Sequence, residues 1–299
     1  MTDGGATFGL GATRSRPDVH RFSHDAMNTV FEVHCAHEDA RYAQQAAAAA
    51  FAVVDRLEQD LSRFVANSDI SRINALARGQ ATRVSPTTLE CLAVARHLYD
   101  VTLGAFDISI GTGLEALDLD PETHTVHARR DGVRLDLGGI GKGYAIDRVA
   151  ELMGEWEVES ALVHGGFSSV LALEAPPGEG GWPLSLSTPG GGEVLVQLSA
   201  RRRAFGASGT RKGAHIHDPR TGRAVAGRAA WVSVERRSSA GGSPAAVADG
   251  LSTACMVLNK EEIRDLCRDD TGLEAWLLLG PADGVTPPFL HVGGAEGTA

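Results

Sequence analysis

Cysteine is scarce in this chain. Four occur in 299 residues, Cys35, Cys91, Cys255 and Cys267, with no CxxC pair and no closely spaced Cys/His set. That spacing excludes a disulfide framework or a structural zinc knuckle and leaves the thiols as small core residues or bystanders. No apolar run approaches the roughly 20 residues of a membrane helix, and the first 23 residues lack the apolar segment of a signal peptide. A cytoplasmic protein with no membrane segment of its own is therefore expected. Clustered positive charge is also missing. The net charge is −10 and no basic run exceeds Arg201-Arg202-Arg203, which argues against nucleic acid as the main partner.

What is present is apolar side chain, 43% of residues against 22% charged. Such a composition excludes disorder over most of the chain and supports one large domain or two intertwined ones. Residues 1–22 read as a flexible leader and 23–299 as the folded unit, with order starting near Asp25.

Periodicity then divides the chain. Ala47, Phe51, Val54, Leu57 and Leu61 recur at three- and four-residue steps, which predicts a helix over 39–61 with one apolar stripe. Ser85 as N-cap, Pro86 at the first turn and Gly104 beyond the end predict a second helix, which places Ala105-Phe106-Asp107 just past a helix terminus. Val133–Leu137 alternates as a strand and runs into Gly138-Gly139-Ile140-Gly141-Lys142-Gly143 and a helix from Tyr144 to about Met153. Further strands are expected over 29–33, 160–163, 169–173, 182–187, 194–198, 231–235 and 274–279, and helices over 245–258 and 261–270. Strands joined by turns, with helices inserted singly, indicate an α+β fold.

Three clusters bear chemistry. The strand, glycine turn and helix over 135–153 could cradle phosphates on free backbone N–H groups, yet the segment matches neither the Walker loop nor the dinucleotide fingerprint. His215 and His217 alternate on a strand face and could act as bases or share a metal, although the further ligands of a two-histidine hydrolase are not found. Asp249 and Thr253 lie four apart on a predicted helix, so a carboxylate and a hydroxyl share one polar face. Hard oxygen ligands of that kind suit Mg²⁺ if substrate phosphates complete its coordination.

These pieces come in a telling order. Met27-Asn28-Thr29, Leu61–Phe64 with Ser68–Asn74, Gly104–Asp107, Leu135–Asp147, Gly165-Gly166, Asp218-Pro219-Arg220-Thr221-Gly222 and Ala248–Ala254 together resemble the FAD:protein FMN transferase family, ApbE, over about residues 25–280. The resemblance implies an α+β fold of the tunnelling-fold type, with antiparallel sheets, inserted helices and two lobes around a flavin cleft. It implies Mg²⁺ held by the Gly141 carbonyl, the Asp249 carboxylate and the Thr253 hydroxyl. Met27, Phe64 (tyrosine in the family), Ala105, Phe106 and Asp107 would contact the flavin, and Lys142 and Tyr144 would lie along the nucleotide. His215 matches the family's histidine ahead of the Asp-Pro-Arg-Thr-Gly turn and would be the catalytic base, while His217 has no assigned role. The implied reaction carries FMN from FAD to a Ser or Thr hydroxyl of an acceptor protein and releases AMP. The acceptor should be another chain, since Asp131–Arg134 and Asp283–Thr286 do not match the family's acceptor motif. Two other readings of the same site stand beside this one: an FAD pyrophosphatase that uses water as the acceptor, and a flavin binder without turnover.

Overall fold

The computed structural model describes residues 6–10, 18–188, 193–209, 216–225, 227–236, 242–279 and 288–293. Its first element, β1 (Thr7–Leu10), falls inside the expected leader, and β2 (Val19–Ala26) starts well before Asp25. Burial explains the first departure: Phe8 is 2% exposed and packs edge-on against Phe205. The remainder of the leader, 1–5 and 11–17, lies outside the described residues. β2 pairs with β3 (Thr29–Ala36) through a two-residue turn in which Met27 and Asn28 have φ of 49° and 58°. Two successive positive φ values give the turn a twist that suits a hairpin.

The helix α1 (Ala40–Leu61) follows, capped by the Asp39 carboxylate and buried along Ala43, Ala47, Ala50, Val54 and Leu57. A short helix α2 (Asp69–Asn74), a strand β4 (Ala81–Arg83) and the helix α3 (Pro86–Val101) come next, with Ser85 as the α3 N-cap. Asp69 ties these pieces together. Its carboxylate accepts the Ser85 N–H at 2.7 Å and pairs with Arg72. Burial works against its charge, but the Ser85 and Thr88 donors and Arg72 prevail and lower its pKa. A depressed pKa contributes stability above the unfolded value of about 3.9 that disappears as pH falls through the folded one. Asp69→Asn should therefore cost about 1–2 kcal/mol at pH 7. Chemical denaturation from pH 7 to pH 3 should show that deficit shrinking.

β4 forms a small antiparallel sheet with β5 (Leu117–Asp120) and β6 (Thr125–Ala128). The predicted strand over 133–137 is not one. Val133, Leu135 and Leu137 are buried as the alternation requires, but among the described residues no strand pairs with them. The Asn74 side chain accepts the Leu135 N–H at 2.6 Å and donates to its carbonyl at 3.0 Å, standing in for a neighbouring strand.

After α4 (Gly141–Glu155) the chain runs through β7 (Ala161–Gly165), β8 (Ser169–Ala172), β9 (Trp182–Ser187), β10 (Val194–Ala200), β11 (Arg203–Gly209) and β12 (Ala229–Glu235). It ends with α5 (Pro244–Cys255), α6 (Lys260–Asp269), β13 (Leu273–Leu278) and β14 (Phe289–Gly293). Asn259, in the short link after α5, is the N-cap of α6 in a capping box with Glu262. The main sheet is antiparallel throughout, in the order β14-β13-β12-β11-β8-β7-β3-β2, and a smaller sheet has the order β1-β9-β10. Phe31, Val33, Val163 and Leu171 join the helices in one core, while Leu162, Val170, Phe205 and Trp231 join β1 and β9 in another. The main sheet is thus covered on both faces, and its central strands are apolar on both sides. All four cysteines are buried as free thiols.

Candidate functional site

Two helices start beside each other and cap one another. The N-cap of α4, Ile140, has no side-chain cap bond, and the Gly143 N–H instead donates to Asp249 Oδ2 on α5 at 3.1 Å. The N-cap of α5, Ser243, also makes no such bond, and the Ala245 and Ala246 N–H groups donate to the Asp147 carboxylate on α4 at 2.9 and 2.8 Å. Each helix therefore satisfies the orphan donors of the other. The approach demands glycine at 143, where a Cβ would strike the Ala245 carbonyl, and at 206 on β11, where it would strike that of Ala248. Burial raises the Asp147 carboxyl to about 8 against the pull of its two N–H donors.

Beside this junction lies a cavity of about 470 Å³. Its walls come from the turn after α3 (Ala105–Ile108 and Ile110), the glycine turn (Gly138, Gly139, Lys142), the β7–β8 turn (Gly166, Ser168), the end of β11, and Asp249 and Thr253 of α5. Asp249 is 3% exposed, so its carboxylate is enclosed by protein rather than by solvent. Its Oδ1 accepts the Ser169 hydroxyl at 2.9 Å, and the Lys142 ammonium lies 3.6 Å from its Oδ2. The Thr253 hydroxyl is 3.2 Å from that of Ser208 and faces Gly139.

The expected site residues divide. Ala105, Phe106, Asp107, Lys142, Asp249 and Thr253 meet at the cavity. Asp107 spends its carboxylate on the Ser109 and Gly111 N–H groups at 2.7 and 2.8 Å, so it builds the turn as well as lining the wall. Gly141 is buried in the first turn of α4 and does not itself line the cavity, although Gly139 and Lys142 do. Met27 is half-buried in the hairpin turn. Phe64 is 82% exposed under the Arg63 guanidinium, and Arg63 bridges to the cavity residue Asp136 at 3.1 Å. Tyr144 is not along the cavity: it is fully buried, donates its hydroxyl to Glu90 at 2.9 Å and has a raised pKa from burial. Helical geometry accounts for this, since two positions beyond Lys142 the side chain projects from another face. His215 lies outside the described residues, whereas His217 lines the cavity. Ser168, Ser208 and Asp136 also line it and have no counterpart among the expected residues. Ser208 belongs to β11, a strand whose Gly206 and small residues gave little periodic signal.

A model of the ApbE family matches residues 27–277. The chain belongs to this family. Similar curated proteins include the FAD:protein FMN transferase of Vibrio cholerae serotype O1, 26% identical over 249 residues that cover 70% of this chain and 72% of that protein. The Escherichia coli K12 protein of the same name is 24% identical over 77% of this chain and 75% of its own length. Among solved structures, the flavin transferase ApbE from Vibrio cholerae superposes with a TM-score of 0.77 at 19% identity, covering 93% and 98% of the two chains. The ApbE protein of Thermotoga maritima gives 0.77 at 22% identity over 92% and 97%. The ApbE fold is therefore shared almost end to end, antiparallel sheets and inserted helices included. No helix among the described residues is long and apolar enough to cross a membrane.

Proposed function

We propose that this ApbE-family chain is an Mg²⁺-dependent transferase that moves FMN from FAD to a Ser or Thr hydroxyl of another protein and releases AMP. The observation that carries this reading is the pairing of Asp249 and Thr253 on one turn of α5, opposite the glycine turn and Lys142. A buried carboxylate and a hydroxyl are a hard-oxygen donor set of the kind Mg²⁺ takes with phosphates and water. The fit is supported by Lys142, whose ammonium stands beside the same carboxylate and marks a place where positive charge is stabilised. Asp249 and Thr253 would hold the ion, with Gly141 offering its carbonyl from the adjoining turn. Bound there, Mg²⁺ supplies charge neutralisation at the pyrophosphate.

The chain's own groups do the rest. Gly138 and Gly139 let the backbone approach the phosphates closely, and Lys142 adds a cation there. Ala105 and Phe106 offer an apolar wall to the flavin ring, and Phe64 an exposed face at its outer edge. The acceptor oxygen bonds to the FMN phosphorus as the bond from that phosphorus to the bridging oxygen breaks, so that AMP leaves with that oxygen. His215 takes the hydroxyl proton in this reading. His217, in the cavity wall, is the alternative base.

Incubation with FAD, Mg²⁺ and a flavin-acceptor protein tests the proposal. An acceptor mass raised by one FMN, with AMP formed in equal amount, is expected. AMP and free FMN without the adduct would favour the pyrophosphatase, and FAD binding without AMP the passive binder. Calorimetry should find weak Mg²⁺ binding alone and much tighter binding with FAD, because two or three protein oxygens do not complete its coordination. Tight Mg²⁺ binding in the absence of FAD would contradict this arrangement.

A further inference from the structure

On the main-sheet face opposite α1, a second polar cluster interrupts an apolar surface. Glu32 and His34 alternate along β3, and His164 is the cross-strand partner of Glu32 on β7. All three are buried, at 5%, 9% and 0% exposure, on the face where Leu162 and Val170 are core. The Nε2 atoms of His34 and His164 each lie 3.0 Å from Glu32 Oε2, and the three ligand-type atoms fall within 4.8 Å of one another. Arg21 donates to the other oxygen, Oε1, and Phe167 stacks on the His164 ring at 4.6 Å between centroids.

We propose that Glu32 Oε2, His34 Nε2 and His164 Nε2 bind one divalent transition-metal ion of the zinc class, at a site separate from the flavin cavity. Two imidazoles and a carboxylate form a mixed nitrogen and oxygen set that suits zinc rather than magnesium. Bonds of about 2.0–2.1 Å in a tetrahedral arrangement separate ligand atoms by about 3.3 Å. The two 3.0 Å separations need to open by only a few tenths of an ångström. The Arg21 bond to Oε1 is what an outer-shell partner does for a ligating carboxylate, orienting it while leaving Oε2 for the ion. A buried polar trio contributes little stability that apolar residues could not, which makes ligand binding the better reason for its presence. The site joins β3 to β7, whose following turn supplies Gly166 and Ser168 to the cavity wall.

The test uses the full chain, stripped with a chelator and dialysed against micromolar Zn²⁺, with bound metal counted by mass spectrometry and melting followed in parallel. One equivalent of zinc per chain is expected, raising the melting temperature, with no displacement by millimolar Mg²⁺. His34→Ala, at the more accessible edge, should weaken zinc binding at least tenfold, whereas Asp249→Asn should retain it. If His34→Ala fails to fold, Co²⁺ substitution in the wild type decides: visible d–d bands of a nitrogen-ligated, low-coordinate ion are expected. The proposal is overturned if the wild type retains no zinc, if His34→Ala binds it equally well, if Asp249→Asn loses it, or if bound Co²⁺ shows only the weak bands of an all-oxygen site.

Discussion

Asp249→Asn should lower AMP release from FAD by roughly 10²–10³-fold, the scale on which removing one preorganised charge-stabilising group acts. A carboxylate kept beside phosphates for function, on the polar face of a helix, would be expected to cost little stability when removed. The structure changes that expectation, because Asp249 is 3% exposed and accepts both the Gly143 N–H and the Ser169 hydroxyl. Asp249→Ala leaves both donors unsatisfied and should cost about 2–5 kcal/mol. Asparagine keeps the shape and one acceptor, so its cost should be nearer 1 kcal/mol. AMP release and thermal melting measured together on both variants separate the two roles. A loss of activity in the asparagine variant with a near-native melt fits a metal-holding carboxylate. Full activity in that variant would remove Asp249 from the chemistry.

Asp147→Ala should act first on stability. The Asp147 carboxylate is the only side-chain cap on the start of α5 among the described residues, and it reaches there from a different helix. Its removal orphans two buried N–H groups and should cost about 2–5 kcal/mol. In a chain of this size that corresponds to a fall in melting temperature of roughly 5–15 °C. Activity should fall as well, by about 10²-fold, because Asp249 and Thr253 ride on the same helix and a displacement near 1 Å is enough for such a loss. Asp147→Ala melting within 2 °C of the wild type, an interval set by the roughly 2–4 °C expected for each kcal/mol, would show that the start of α5 is held by other contacts.

How far the site could be read in advance depended on the kind of signal each residue carries. Asp249, Thr253 and Lys142 line one cavity; helical spacing puts the first two on one side of α5, but it was the order of the ApbE motifs that joined all three into one expected site. Tyr144 lies off the cavity lining, since one motif can send neighbouring side chains to different sides of a helix, and here the ring fills the core beside Glu90. Ser168, Ser208 and Asp136 were missed because no local pattern distinguishes a serine in a strand or turn from one that faces a cavity. Glu32, His34 and His164 come from strands more than a hundred residues apart and meet only through the register of β3 against β7.

The sequence by itself determined the elements whose signals are local: α1 from its stripe, α3 from Ser85 and Pro86, the strands over 182–187 and 194–198, and the ApbE motifs in their order. Only the tertiary structure decided where backbone donors find partners across the chain. Asn74 replaces a strand beside Leu135, and α4 and α5 cap one another through Asp147 and Asp249. The physical reason is that a buried N–H must be satisfied by whichever acceptor packing brings within reach, and that acceptor can lie 106 residues away, as it does for Gly143.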